Sequence, residues 1–504
     1  MNKKTTARTA PILAYQPALR PALPCVYGPV EFRVFRDQLV QIDRLLNEGG
    51  LESAFVQSAA AEHATAMAEA NAKAWRRFAR TTALALRCDV ARVLTGLSYR
   101  DFAIRVAESS LLQWFLRIGE VDRVKAPGKS TLERFSKWVS EEAMTSLHLK
   151  LVTQAVKTNP AQGFALMERV DATEVFLDST CLKATMHYPV DWVLLRDGTR
   201  TLMKATVLIR RAGLKQRMPQ EPLGFLSDMN KLAMAMSAHR RRADAKKQRK
   251  RTLRQMKALE RKIMGHAQAH RELLARHWAE SALSEKQAQA ILRRIDQVMR
   301  QLPAAIAQAH ERIIGERLVP NADKILSLYE AEVEVLKRGK AGAEVEFGNK
   351  LWLGETRAGL IVDWALLAAA PADAALVLPS VARLTSGLKL AVQRVWGDRG
   401  LFSRENEAQL AAGGIKSGLC PRDPGALQNR LEREDDFRAG LRRRGATEAR
   451  IAIFKNAFTG NPCRAKGFAA RKLAVSWAVL AHNLWVLARL KLAQDRAAPR
   501  TKAA

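Results

Sequence analysis

Three acidic residues, Asp178, Asp398 and Glu448, stand where a carboxylate could take part in chemistry. Asp178 follows the β-prone run Val175-Phe176-Leu177, which predicts that it ends a strand. Asp398 ends a second such run, and the glycines on either side of it let the backbone come close to a ligand. Carboxylates collected at strand ends can hold hard cations such as Mg²⁺, and paired cations of this kind support phosphodiester cleavage.

Glu448 lies in a basic segment with helical spacing, 441–458. At about 100° per residue, Arg444, Glu448 and Lys455 fall within roughly 40° of one another. A carboxylate between two cations on one helix face suits a metal ion and a phosphate. The alternative is ordinary i,i+4 ion pairing, worth only about 0.2–0.5 kcal/mol, and the spacing leaves both open. Ile451 is predicted to pack this helix against a sheet.

A large excess of positive charge restricts the class of partner. The 504 residues include 83 Lys and Arg against 50 Asp and Glu, a formal net charge of +33. Such an excess favours nucleic acid, with an anionic membrane or the ribosome as alternatives. The densest stretch, 239–263, is either a solvated face or one that contacts DNA phosphates without reading bases. Its predicted DNA-binding residues are Arg240, Arg241, Arg242, Lys246, Lys247, Arg249, Lys250 and Arg251.

Cysteine usage and hydropathy indicate the compartment. The five cysteines are scattered singly, so neither a zinc site nor a disulfide framework is indicated, and a reducing cytoplasm fits. The N-terminus lacks the continuous apolar core of a signal peptide. The most apolar stretch, 473–492, is broken by His482, Asn483 and Arg489, which predicts a packed helix rather than a membrane span.

The order of patterns predicts an α/β core interrupted by a helical insertion. Strands are expected within 343–367, with a turn at 354–359, and at 390–396. The predicted segments are an irregular basic arm (1–30), a helical N-terminal domain (31–160), the first part of the core (161–227), a basic helical insertion (228–335), the second part of the core (336–465), and a C-terminal helix with a basic tail (466–504).

Two helical regions carry finer predictions. The segment 94–118, with Ser98 as N-cap, and a helix that opens at Ser130 or Thr131 resemble a helix-turn-helix, with ordinary helical packing as the alternative. The insertion is predicted to form a long helical hairpin, 239–263 and 270–318, or a coiled coil.

Several blocks resemble those of bacterial insertion-sequence transposases of the DDE type. The run 178–191, DSTCLKATMHYPVD, resembles their first-aspartate block, in which D-[ST]-T precedes Y-P-T-D. Gly397-Asp398-Arg399-Gly400 is similar to their second-aspartate block. Arg444-x3-Glu448-x6-Lys455 matches three parts of their Tyr-x2-Arg-x3-Glu-x6-Lys signature. The run 338–348 resembles the block before their second strand. The similarity as a whole covers about 95–490, most of the chain.

This resemblance implies an RNase H-like (retroviral-integrase) core in which Asp178, Asp398 and Glu448 bind two Mg²⁺ ions, or Mn²⁺ in their place. It implies hydrolysis of one strand at each transposon end, followed by attack of the freed 3′-hydroxyl on target DNA. Arg444 and Lys455 would hold DNA phosphates. The implied partners are terminal inverted repeats and target DNA, with no membrane partner. A homodimer or larger assembly would bind them in a bacterial cytoplasm, on the nucleoid.

Two positions depart from the family pattern: Leu441 stands where the signature has Tyr, and Val190 replaces the Thr of Y-P-T-D. Asp171 is the rival of Asp178, which is favoured because Tyr188-Pro189 is in register with it. The other conspicuous side chains are predicted to cap or turn (Asp191, Asp197), to be structural (Asp363), to be solvated (Glu405, Glu407) or to lie in the core (Trp396, Trp477, Trp485).

Two other functions stay open. One is a non-catalytic DNA-binding protein derived from a transposase, against which the three intact acids argue. The other is a Mg²⁺-dependent nuclease that cuts without strand transfer, which the sequence does not separate from a transposase.

Overall fold

The computed structural model describes residues 21–67, 70–119, 123–156, 164, 166, 168–238, 244–340 and 343–497. These residues form a mixed α/β fold with a six-stranded mixed sheet, so the predicted α/β class is confirmed. The predicted arm lies mostly outside the described residues; within it, 21–29 is irregular and a helix begins at Val30.

The chain divides into two compact units. One holds the described residues within 1–182, 350–465 and 469–504, and the other holds those within 183–349 and 466–468. This division differs from the predicted segments because the N-terminal helices share one hydrophobic core with the sheet. Phe55, Trp352 and Trp477 all belong to that core.

Helices build the N-terminal part of the first unit. They are α1 (Val30–Asn47), α2 (Leu51–Glu62), α3 (Ala64–Met67), α4 (Ala72–Thr95), α5 (Tyr99–Glu108), α6 (Ser110–Leu116), α7 (Lys129–Phe135) and α8 (Glu141–Val156). Ser98 caps α5 as predicted, accepting from the Asp101 amide at 3.2 Å. The segment 94–118 is mostly helical as predicted, but it forms two helices, because Ser109 is extended and its hydroxyl caps α6. The cap predicted at Ser130 or Thr131 was wrong: Gly128 is the N-cap of α7.

The sheet runs β2-β3-β1-β5-β6, and β4 pairs with β3. The strands are β1 (Glu174–Lys183), β2 (Glu334–Lys340), β3 (Ala343–Thr356), β4 (Ile361–Leu367), β5 (Arg394–Gly397) and β6 (Lys416–Leu419). β5 is parallel to β1 and to β6, whereas β3 is antiparallel to β2 and to β4. The two strands predicted within 343–367 are present, and of the strand predicted at 390–396 only 394–396 is strand, as part of β5. β2 and β6 were not predicted.

β1 continues past Asp178 to Lys183, so the prediction that Asp178 ends a strand was wrong. β3 runs along one side of β1 and β5 along the other. The parallel register with β5 reaches only Phe176↔Trp396. Asp178 therefore lies at the end of the β1–β5 ladder rather than at the end of its own strand.

Four packed α-helices lie within the described residues of the second unit. They are α9 (Asp191–Arg211), α10 (Pro222–Ala238), α11 (Ala245–His277) and α12 (Glu285–Ala309). Met203, Met229, Ile263 and Leu302, one from each helix, share a buried core. The predicted two-helix hairpin or coiled coil is thus part of a larger packed cluster, in which α9 was not predicted.

The remaining helices belong to the first unit, apart from Phe468. They are α13 (Val377–Ala382), α14 (Arg404–Ala412), α15 (Pro424–Arg433), α16 (Asp435–Ile453) and α17 (Phe468–Ala497). Among the described residues, α17 alone is long and apolar enough to cross a membrane, and 72% of its most apolar window is buried within the protein. Buried Asn483 bonds the backbone N and O of Ile361 at 2.9 and 2.7 Å. The predicted packing of 473–492 is therefore observed.

Candidate active site

The register of the sheet brings Asp178 and Asp398 to one place in the first unit. Each follows, two residues later, a member of the last parallel pair, Phe176↔Trp396. The rings of Phe176 and Trp396 stack with centroids 5.9 Å apart. Because side chains alternate along a strand, Asp178 leaves β1 on the same face as Phe176.

Helix α16 lies on that face because Gly440 permits a close approach. A Cβ atom at Gly440 would stand 2.0 Å from the Trp396 ring, closer than any real contact. Buried Phe437 completes a cluster with Phe176 and Trp396, and Leu441 packs against it. Leu441, which replaces the Tyr of the family signature, therefore supplies apolar packing at this position.

Arg444 lies among the three predicted acids. Its Nη2 atom is 3.5 Å from Asp178 Oδ2, 3.6 Å from Asp398 Oδ2 and 3.7 Å from Glu448 Oε1. Carboxylates from β1, from the turn after β5 and from α16 thus surround one cationic nitrogen. The structure brings the predicted trio together, with Arg444 between its members rather than to one side.

Burial sets the protonation chemistry of Asp178. Its pKa is raised to about 6, chiefly by loss of solvent; the Arg444 guanidinium opposes this rise and the Asp398 carboxylate adds to it. The Ser179 amide donates to Asp178 Oδ1 at 2.7 Å and also favours the charged form. A neighbouring cation therefore helps to keep this carboxylate ionised near neutral pH.

The backbone fixes the orientation of Asp398. Its Oδ1 accepts from the amides of Gly400 at 2.8 Å and Leu401 at 3.2 Å. With one oxygen held by these amides, Oδ2 is the oxygen that faces Arg444. A Cβ at Gly400 would lie 3.1 Å from Asp398 Oδ1, so the glycine leaves room for this turn.

Lys455 lies beside the site, but the α-helical spacing used in the sequence analysis is not what places it there. The α-helix ends at Ile453, and Phe454–Thr459 is π-helical, so about 100° per residue no longer applies. Buried Lys455 lies with Nζ 3.2 Å from Thr180 Oγ1. Thr180 is two residues beyond Asp178 on β1 and therefore shares its face.

The comparisons with known proteins find nothing similar. No family model, curated protein or solved structure matches this chain. The geometry and charge of the site therefore carry the functional conclusion.

The donor chemistry of the trio fits a hard divalent cation, because Mg²⁺ and Mn²⁺ prefer carboxylate oxygens. The spacing, however, is set by Arg444: its nitrogen lies 3.5–3.7 Å from the oxygens, whereas Mg²⁺–oxygen distances are about 2.0–2.1 Å. Within the described part of the chain, no group of three or more His, Cys, Asp or Glu is arranged to hold a metal ion. An ion bound by all three carboxylates would need their oxygens closer together than they lie around Arg444.

A fourth carboxylate borders the site and was missed by the sequence reasoning. Asp373 Oδ1 accepts from Ser179 Oγ at 3.0 Å and from Lys350 Nζ at 2.7 Å. Its Oδ2 lies 3.6 Å from where a Cβ on Gly400 would stand, beside Asp398. The available signal was Lys350, a charged residue directly before the apolar run Leu351-Trp352-Leu353 on β3.

The rival aspartates have local partners. Asp171 accepts from the amide and hydroxyl of Thr173 at 2.8 and 2.7 Å. Asp363 binds Arg383 through two bonds of 2.7 Å, as expected of a structural residue. In the second unit, Asp191 begins α9 and accepts from Gln308 at 2.8 Å. Neither Asp171 nor Asp363 is among the carboxylates around Arg444.

The structure also tests three predictions about the location of single side chains. Asp197 lies inside α9 rather than at a cap or turn, so that prediction was wrong. Glu405 is exposed as predicted, whereas Glu407 is half-buried and lies 3.8 Å from Arg430. Trp396 is buried in the core, as expected.

The basic residues of the second unit divide into paired and exposed sets. Arg240, Arg241 and Arg242 lie outside the described residues. Lys246 and Lys250 form ion pairs with Glu316, and Arg249 lies over the Trp192 ring. Of the predicted DNA-binding residues on α11, Lys247 and Arg251 are thus exposed with no acidic partner among the described residues.

The same face of α11 continues with further exposed cations. We call Lys247, Arg251, Arg254, Arg261 and Lys262 the α11 basic stripe; all five are exposed and none has an ion pair within the described residues. Their spacing follows the helical repeat, so the stripe runs along one side of the helix. The sequence reasoning identified the charged segment but not which of its members face solvent.

Proposed function

We propose that this chain is a DDE-type transposase that cuts and joins DNA at Asp178, Asp398 and Glu448, on an RNase H-like core. The observation that carries the proposal is the approach of all three carboxylates to Arg444 Nη2 at 3.5–3.7 Å. Ion pairing between Arg444 and Glu448 alone would be an ordinary helical contact. The two aspartates from other elements make it an acidic site with the donor set for divalent cations.

Asp178, Asp398 and Glu448 would hold Mg²⁺ or Mn²⁺, which supplies charge neutralisation at a phosphate and lowers the pKa of a bound water. Residues of the chain orient the metal-binding carboxylates and set the polarity around them. The amides of Gly400 and Leu401 orient the Asp398 carboxylate. Burial of Asp178 keeps this side of the site in a low dielectric, where its interaction with a cation is strong.

DNA is the proposed substrate because the chain has a formal net charge of +33 and the α11 basic stripe has cations that no acid neutralises in the described part. Cations of this kind bind phosphates through release of counterions, independently of base sequence. The proposal includes transposon ends and target DNA as substrates, and two or more copies of the chain to pair two ends. It places the protein on the bacterial nucleoid.

The test is a strand-transfer assay. Labelled duplexes that carry the DNA flanking the gene are incubated with supercoiled plasmid, Mg²⁺ and the full-length protein. The expected result is labelled plasmid from the wild type and from Asp171→Asn, and none from Asp178→Asn. Asp171→Asn is the matched control because it removes the same charge from a carboxylate with only local partners.

The other outcomes separate the alternatives. Cleavage of the labelled duplex without joining would replace the transposase by a metal-dependent nuclease. Binding with neither cleavage nor joining would leave a non-catalytic DNA-binding protein.

A further inference from the structure

Arg444 is poorly satisfied where it lies. Its Nε atom is buried and has no hydrogen-bond partner in the described structure. Its Nη2 contacts of 3.5–3.7 Å are longer than the about 2.7–2.9 Å of a charge-assisted hydrogen bond. The guanidinium therefore stands among three oxygens without binding any of them tightly.

The charge around Arg444 is also unbalanced. Three carboxylates face one guanidinium, so this group has an excess of negative charge when all are ionised. A site of this kind favours a divalent cation over the single charge of an arginine.

We propose that Arg444 is a positioning residue that occupies the metal position before metal binds, and that a divalent cation displaces it. This inference rests on the proposed function, in which the trio holds the metal. The displaced side chain stays attached to α16 beside the site, so its planar guanidinium becomes available to a phosphate only after the metal has entered. Metal loading and phosphate binding are coupled in this way through one side chain.

Competition for the same oxygens has a direct consequence for metal affinity. Removal of the guanidinium charge removes both its occupancy of the site and its repulsion of the incoming cation. Arg444→Gln is therefore expected to bind Mn²⁺ about tenfold more tightly than the wild type. Arg444→Lys keeps the charge and is expected to remain within about threefold of the wild type.

The experiment measures Mn²⁺ binding to the full-length protein without DNA, by calorimetry or by electron paramagnetic resonance of free Mn²⁺. Arg442→Gln is the matched control, because it removes the same charge from an exposed position on the same helix. Asp398→Asn identifies which binding belongs to the trio. A second readout is thermal: Mn²⁺ should raise the melting temperature of Arg444→Gln more than that of the wild type.

The outcomes distinguish this inference from the function on which it rests. Wild-type Mn²⁺ binding that Asp398→Asn abolishes, with equal or weaker binding in Arg444→Gln, overturns the displacement of Arg444 and leaves the metal site intact. No Mn²⁺ binding that depends on Asp398 in either protein overturns both. Tighter binding in Arg442→Gln as well would assign the effect to general charge and also overturn the inference.

Discussion

Asp178 Oδ2 and Arg444 Nη2 lie 3.5 Å apart although 266 positions separate the two residues. The aspartate is on β1, in the interior of the sheet, and the arginine reaches it from α16. Burial raises the pKa of the Asp178 carboxyl, and the Arg444 guanidinium is the largest effect that lowers it again. The charge of the site therefore depends on how α16 is docked.

Metal binding should depend on pH through Asp178. Its pKa of about 6 lies above the usual 3.8. Between these two pH values, the folded protein therefore keeps a proton on Asp178 that the unfolded chain has lost. This group's contribution to stability is therefore full below pH 3.8 and falls as pH rises toward 6. Because a metal needs the ionised form, Mn²⁺ affinity should fall by about tenfold per pH unit below that pKa. Calorimetric titrations from pH 5 to pH 7 would check this, and a flat profile would contradict it.

Each acid of the trio should be required for cleavage. Asp178→Asn, Asp398→Asn and Glu448→Gln should each lower the cleavage rate on the order of a thousandfold, because several kcal/mol of transition-state stabilisation is lost with a metal ligand. DNA affinity at fixed salt should survive in all three. Glu405→Gln, an exposed acid on α14, is the control and should cleave normally. Near-normal cleavage by any trio variant would remove that residue from the site.

The docking of α16 should depend on one glycine. Gly440→Ala places a Cβ 2.0 Å from the Trp396 ring, so the helix must shift and the free energy of unfolding should fall by about 1–3 kcal/mol. Cleavage should fall with it, since Arg444 and Glu448 move with the helix. Denaturant titration measures the first effect and a cleavage assay the second.

Gly445→Ala is the matched control on the same helix. A Cβ at Gly445 would meet nothing within 4 Å, so the change should stabilise α16 by about 0.5–1 kcal/mol. Equal destabilisation by both variants would mean that contact with Trp396 is not what Gly440 provides.

The α11 basic stripe should contribute to DNA affinity in proportion to its charge. Arg251→Gln with Arg254→Gln should reduce the slope of log affinity against log salt by about 2, because two phosphate contacts are lost. Lys246→Gln with Lys250→Gln removes the same charge from residues that both pair with Glu316, and should change the slope less. Fluorescence anisotropy with a labelled duplex at several salt concentrations measures both. Equal slopes for the two double variants would mean that the stripe does not contact DNA.

Local contacts were the part of the site that sequence could predict. Arg444 and Glu448 are four residues apart on one helix, so their 3.7 Å contact follows from helical geometry alone. The same rule does not hold at Lys455, because the backbone becomes π-helical at Phe454. Spacing rules hold only while the backbone keeps the repeat on which they depend.

The sequence by itself singled out Asp178, Asp398 and Glu448 as candidates, and it determined the excess of basic residues and the mixed α/β class. These depend on residue types and on short-range periodicity. Only the tertiary structure decided that Asp178 lies within β1, that Asp373 borders the site, and that Arg444 stands between the carboxylates. The physical reason is that these relationships depend on strand register and on the packing of Gly440 against Trp396, which join residues far apart in the chain.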